Sequence, residues 1–163
     1  MSIREGFKIE VERETANTKK MIERLSDEHL DFRPHPKSMS AKELANHIVE
    51  MHAWLHKAID KNKFDFQTDY HPNDKETVAE MLAQLDADLQ ANLVQLDTIS
   101  DEDWMTEWAL TAGEHEIMKM PKIGAMRFII QNHLIHHRGQ LSVYLRLLDI
   151  PVPGIYGPSA DEK

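Results

Sequence analysis

The chain contains no cysteine. That absence excludes disulfides, thiolate metal ligands and a cysteine nucleophile together. Aromatic residues supply 7% of the sequence, and six glycines and seven prolines are spread over 163 positions. Neither a collagen-like chain nor a Pro/Gly-rich disordered one fits that composition. No apolar run approaches the roughly 20 residues that a helix needs to cross a bilayer. The opening residues, Met1-Ser-Ile-Arg-Glu-Gly-Phe-Lys-Ile-Glu10, hold no apolar signal core. Basic residues are in deficit, 19 against 28 acidic ones, for a net charge of -9. A basic surface for nucleic acid is therefore not expected, nor is a membrane partner. The default expectation is a cytoplasmic protein.

What is present reads as one domain over residues 1–163, long enough to bury a core. Apolar residues make up 41% and charged residues 29%, ordinary values for a globular chain. Four segments carry apolar stripes at helical period. The first covers residues 2–25, with Ile3, Phe7, Val11, Thr18, Met21, Ile22 and Leu25 on one side. Ser26 is placed to cap a short extra turn. Prolines 34 and 36 then break the chain. A second helix starts after Ser40, where Ser40-Ala-Lys-Glu43 spells a capping box. Its stripe is Ala41, Leu44, Ala45, Ile48, Met51, Leu55 and Ile59. Residues 64–73 read as a loop. The third helix is expected over 75–97, with Val78, Met81, Leu82, Leu85, Leu89, Leu93 and Leu96 inward. Residues 100–120 lack long periodicity, but Glu107-Trp-Ala-Leu-Thr111 and His115-Glu-Ile-Met-Lys119 flank Ala112-Gly113 and suit a small hairpin. Pro121 fits the first position of a fourth helix. The fold class that follows is all-α: a four-helix bundle with at most a small hairpin between helices 3 and 4.

Ten histidines stand out against this background. In the last helix, Met126, Ile130, Leu134, Leu141, Tyr144, Leu145 and Leu148 share a face, and His133 and His137 interrupt it. A buried imidazole has two nitrogens that want partners, and leucine would pack there at less cost. One histidine on such a face serves as a hydrogen-bonded core residue. Two at i, i+4 aim both rings at one point, which suits a divalent ion. His136 falls off the stripe. A third ligand is needed, because catalytic sites usually take three protein ligands and leave one position open. The second helix offers His47, His52 and His56. His52 lies nearer the centre of its stripe, His47 and His56 on opposite flanks, and spacing alone leaves the choice open. His29, His35, His71 and His115 read as surface residues in loops or the hairpin.

Ser40-Ala-Lys-Glu-Leu-Ala-Asn-His47-Ile, after Phe32-Arg-Pro34, resembles the second-helix motif of the DinB/YfiT-like metalloenzyme family, which is unrelated to the polymerase of that name. His133-Leu-Ile-His-His137-Arg-Gly-Gln-Leu-Ser-Val-Tyr-Leu-Arg146 is similar to the family's last-helix motif, and Ile150-Pro-Val-Pro-Gly-Ile-Tyr-Gly-Pro158 to its tail. The resemblance covers residues 5–158. It implies an up-down-down-up four-helix bundle, often a homodimer. It also implies one divalent metal ion, zinc or nickel, held by His47, His133 and His137, and so selects His47 over His52. Relatives of this fold include thiol-dependent transferases and isomerases. A metal-dependent hydrolase or thiol transferase acting on a small molecule, with a low-molecular-weight thiol among the candidate substrates, is the implied activity. A noncatalytic metal-binding or stress-associated interaction protein is the alternative. No general base is evident: Glu43 and Glu50 each lie within a turn of His47, and neither points convincingly with it. Gln140 and Tyr144 are candidates to orient substrate or water. Gly139 suggests a close helix contact, Arg138 and Arg146 read as surface residues or salt-bridge partners, and Trp54, Trp104 and Trp108 suggest core or pocket walls.

Overall fold

A computed structural model of the chain describes residues 2–162. Helix α1 (Ile3–Ile22) starts at Ser2, whose hydroxyl accepts from Glu5 N–H while the Glu5 carboxylate accepts from Ser2 N–H. The same reciprocal box, Ser40 with Glu43, opens α2 (Ala41–Trp54) as expected. A third, Thr77 with Glu80, opens α3 (Val78–Thr98), which sets its start later than the apolar stripe suggested. Each box satisfies N–H groups that the first helical turn leaves orphaned. The fourth helical rod runs as α4 (Lys122–Ala125), a π-helical segment (Met126–Gln131) and α5 (Asn132–Leu147). Pro121 ends a strand and caps α4 rather than occupying its first position. Helix α1 packs mainly on α3, and α2 lies between α3 and α5.

The all-α expectation is overturned by a three-stranded mixed sheet. Strands β2 (Glu107–Ala112) and β3 (His115–Pro121) form the anticipated hairpin, longer than expected and bulged between Leu110 and Thr111. Strand β1 (Lys63–Asp65) runs into the stretch read as a loop and pairs parallel with β2, Phe64 opposite Leu110. Asp65 pins this edge. Its carboxylate accepts from Gly113 N–H, Gln67 N–H and the Thr111 hydroxyl at 2.9–3.0 Å. Those backbone donors hold its pKa down to about 2. Gly113 turns the hairpin at a φ of 61°, where a glycine carries no steric penalty.

Helix α2 does not end cleanly. It passes into a π-helical turn at Leu55–Ile59, and a side chain from α3 accounts for it. The Asn92 amide donates to the carbonyl of His52 at 2.8 Å and accepts from the N–H of His56 at 3.2 Å. Those two backbone groups would bond each other in an α-helix. Asn92, buried at 1% exposure, is wedged into the ladder and widens it. Trp108 donates to the Ala58 carbonyl of the same turn at 2.9 Å. The three tryptophans are all core residues.

Arg138, read as a surface residue or a salt-bridge partner, is the latter, and lies at 3% exposure in the seam between α5 and α1. Its guanidinium donates to Glu14 Oε2 at 2.5 Å, to the Glu14 carbonyl at 3.1 Å and to the Tyr156 hydroxyl at 2.5 Å. Tyr156 in turn donates to Glu14 Oε2 at 2.9 Å, tying the tail to the bundle. Removing one partner of a buried ion pair strands the other charge, which typically costs about 3–5 kcal/mol. Glu14→Ala should lower the unfolding free energy by about that amount in urea titrations, far beyond the effect of truncating the exposed Glu12.

Candidate metal centre

The ligand nitrogens of His47, His133 and His137 lie within 4.8 Å of one another. His47 Nε2 and His133 Nε2 are 3.5 Å apart. Ring centroids are separated by 5.2 Å for His47–His133 and 4.6 Å for each of the other two pairs. All three residues are half-buried. They do not sit at the centres of their stripes. On α5 the buried seam is Leu134, Arg138, Leu141 and Leu145, so His133 and His137 lie one residue off it, facing α2. His47 flanks the α2 seam of Leu44, Ile48 and Met51 in the same way. Two helix margins meet, and the three rings converge at the rim of the bundle where solvent can reach them.

Polar groups stand behind the rings. His137 Nδ1 is 2.7 Å from Gln140 Oε1, an obligate acceptor, so Nδ1 carries the proton and Nε2 offers its lone pair. The His133 ring bonds the Ile129 backbone. His47 Nδ1 lies 3.5 Å from Glu50 Oε1. Burial lowers the pKa of His133 and takes that of His137 to about 4, with neighbouring imidazoles adding to the burial effect. Both rings are therefore neutral at pH 7, the form that coordinates a cation.

Two hollows border the cluster. A polar cleft of about 600 Å³ is lined by Arg33, Lys42, Asn46, His47, Glu50 and Tyr70. An apolar one of about 440 Å³ is lined by Trp54, Phe66, Leu110, Phe128, Ile129 and His133.

Comparison with known proteins agrees with this architecture. The sequence profile of the DinB family matches residues 9–163. The chain belongs to the DinB family. It is 26% identical to YjoA of Bacillus subtilis (strain 168) over 130 residues, covering 79% of this chain and 80% of that protein. YrdA of the same organism is 48% identical over 44 residues, a match that spans 27% of this chain and 26% of YrdA's length. A DinB-like protein from Bacillus cereus ATCC 10987 superposes with a TM-score of 0.71 at 26% identity, covering 93% of this chain and 97% of that one. The structure of Bacillus subtilis YjoA gives a TM-score of 0.69 at 20% identity over 91% of this chain and 96% of that one, a likeness of fold.

The other histidines of this DinB-family chain are accounted for separately. His52, the central candidate, faces away from the cluster. At 4% exposure its two ring nitrogens meet the hydroxyls of Thr15 and Thr18 at 3.3 and 3.0 Å. His56 Nδ1 bonds Asn92, and its Nε2 lies 3.8 Å from buried Asp88. His136 is exposed and contacts Gln140. His35, His71 and His115 are exposed, and His29 is half-buried against Ser26. Gln140 orients His137, a role its i+3 spacing could have suggested. Tyr144 is buried, with its hydroxyl donating to the Met39 carbonyl at 2.9 Å. Gly139 is exposed and no atom lies within 4 Å of where its Cβ would be, so it makes no close contact within the chain.

Burial, and then the charge of Arg138, lowers the pKa of His52 to about 3. The unfolded chain binds a proton on this residue below about 6.5, and the folded one does not until far lower. The stability His52 contributes is thus fully present above pH 6.5 and drains as pH falls toward 3, by up to about 1.4 kcal/mol per pH unit. His52→Gln removes this slope. The difference in unfolding free energy between parent and variant, measured without metal from pH 7 to 4, should shrink steadily as pH falls.

Proposed function

We propose that His47, His133 and His137 hold one divalent ion, zinc or nickel, and that the protein is a metal-dependent enzyme acting on a small molecule. The observation that carries this reading is the convergence of three imidazoles on one point from two helices. The donor set fits such an ion. It is all nitrogen, it is neutral at pH 7 where the shifts are resolved, and His137 Nδ1 is tied to an acceptor. When bound, an ion held by three neutral imidazoles keeps its full charge and supplies Lewis acidity, enough to lower the pKa of a coordinated water to about 7. Hydrolysis and thiol transfer, with a low-molecular-weight thiol as substrate, are the two reactions this acidity serves. Among the described residues the cluster comprises three ligands, which supports an open fourth position over a closed structural staple. The neighbouring clefts offer a polar and an apolar wall for a small molecule. His47 and His133 each line one of them, while Gln140 keeps His137 turned toward the point of convergence.

Zinc and nickel titrations by calorimetry test the ligand set. Replacing His47, His133 or His137 with alanine should weaken binding by more than the roughly 10–100-fold that loss of an outer partner costs, whereas His52→Gln and His56→Ala leave it near parental. Binding should fall as pH drops toward about 4, where His137 takes up a proton that competes for the same lone pair. A His47→Ala variant that kept zinc while His52→Gln lost it would assign the third ligand to His52. In the cobalt(II)-substituted protein, a small thiol should add a near-ultraviolet charge-transfer band. No spectral change would favour the noncatalytic staple.

The same reading includes a homodimer. Support comes from the exposed side of the last rod, where Phe128, Val143 and Leu147 are 56–65% exposed and Gly139 leaves room for a close neighbour. Light scattering at tens of micromolar should give about twice the 18.9 kDa chain mass, and a monomeric mass would remove dimerisation from the proposal.

A further inference from the structure

Glu50 stands three residues after His47 on α2, at 6% exposure. One carboxylate oxygen is anchored: Oε2 accepts from the Tyr70 hydroxyl and from the Asn73 backbone N–H, each at 3.2 Å. The other, Oε1, is buried without a hydrogen-bond partner among the described residues and lies 3.5 Å from His47 Nδ1. A buried acceptor left unpaired is costly, and the imidazole beside it has a proton to give. On the far side of that ring, Nε2 faces His133.

We propose that Glu50 is a positioning residue, which accepts a hydrogen bond from His47 Nδ1–H and so fixes the tautomer whose Nε2 lone pair faces the ion. The inference rests on the three-histidine reading of the site. A neutral imidazole carries one N–H, and a partner that can only accept decides which nitrogen keeps it. Gln140 does this for His137 within one helix. Glu50 does it for His47 with help from residues 66–77. Tyr70 and Asn73 hold the carboxylate, and that connection is itself fastened to α2: Asn46 Oδ1 accepts from Asn73 Nδ2 at 2.9 Å and from Lys75 N–H at 2.8 Å. The connection between β1 and α3 thereby reaches the ligand through two hydrogen bonds.

Glu50→Gln tests this with an isosteric side chain. The Asn73 N–H can only donate, so the glutamine oxygen must remain there and its amide N–H turns toward His47. Nδ1 must then accept, and the proton moves to Nε2, the nitrogen needed for coordination. Histidine 15N shifts of the labelled, metal-free protein should report Nδ1–H for His47 in the parent and Nε2–H in Glu50→Gln. Zinc affinity of the variant should fall about 10–100-fold with an unchanged urea midpoint. Glu50→Ala, which imposes neither tautomer, should show both forms and a smaller loss. A parent His47 in the Nε2–H form, or a Glu50→Gln protein that keeps Nδ1–H and parental zinc affinity, overturns the proposal. A parent that binds no zinc would instead remove the three-histidine reading, and the tautomer measurement, made without metal, still decides the role of Glu50.

Discussion

Arg138 occupies the seam where α5 meets α1, and a guanidinium buried there must be matched in charge and in hydrogen bonds. Glu14 supplies the charge, the Glu14 carbonyl and Thr18 hydroxyl accept further bonds, and Tyr156 closes the remaining side. Thr18 also meets His52, so the polar seam continues across α1 into α2. This seam fixes the rotation of the helices about their own axes. With Arg138 turned to α1, the residue before it, His137, is turned about 100° away, toward α2. With His52 turned to Thr15 and Thr18, His47 swings to the margin that faces α5. The three-histidine cluster is the complement of the seam: what the buried polar groups leave at the rim.

The two π-helical turns bear on the same rotation. Each extra residue in a helical turn resets the phase of everything that follows. Asn92 creates the first by standing between His52 and His56, so that His56 answers to α3 rather than to the site. The second, at Met126–Gln131, lies directly before the segment that carries His133 and His137. Beyond it, the rod presents Leu134, Arg138, Leu141 and Leu145 to the interior.

Much of this was legible in the residues, and the parts that were not share a cause. Capping chemistry at Ser40 and apolar period announced the helices and most of their ends, and Gly113 between two polar-apolar runs announced the hairpin. Strand β1 was not legible, because three residues, Lys63-Phe-Asp65, carry no period and acquire strand character by pairing with β2, far along the chain. Arg138 reads as a surface residue or a salt-bridge partner from its type, and only its distant partner Glu14 shows which, and that the pair is buried. The histidine pair was found by its spacing, but its exposure was misjudged: a stripe drawn at uniform helical pitch puts His133 and His137 inside, while the actual seam runs one residue later. For the third histidine the wheel left the choice open and the family resemblance pointed to His47, which the geometry joins to the pair. The central position of His52 reflects its duty to two threonines. Glu50 does not point convincingly with His47 on the wheel, and its partners Tyr70 and Asn73 lie in a segment whose course no local pattern reveals.

The pairing of Glu14 with Arg138 joins positions separated by 124 residues. As the polypeptide leaves the ribosome, α1 emerges early with a carboxylate whose matching cation has yet to be made. Until α5 arrives, the Glu14 carboxylate lacks its partner, and the helix is held by its packing on α3 and by the bonds of Thr15 and Thr18 to His52. Closing so large a loop is slow compared with local helix formation. Docking of the last helix closes the Glu14–Arg138 pair, and the same step brings His133 and His137 to His47.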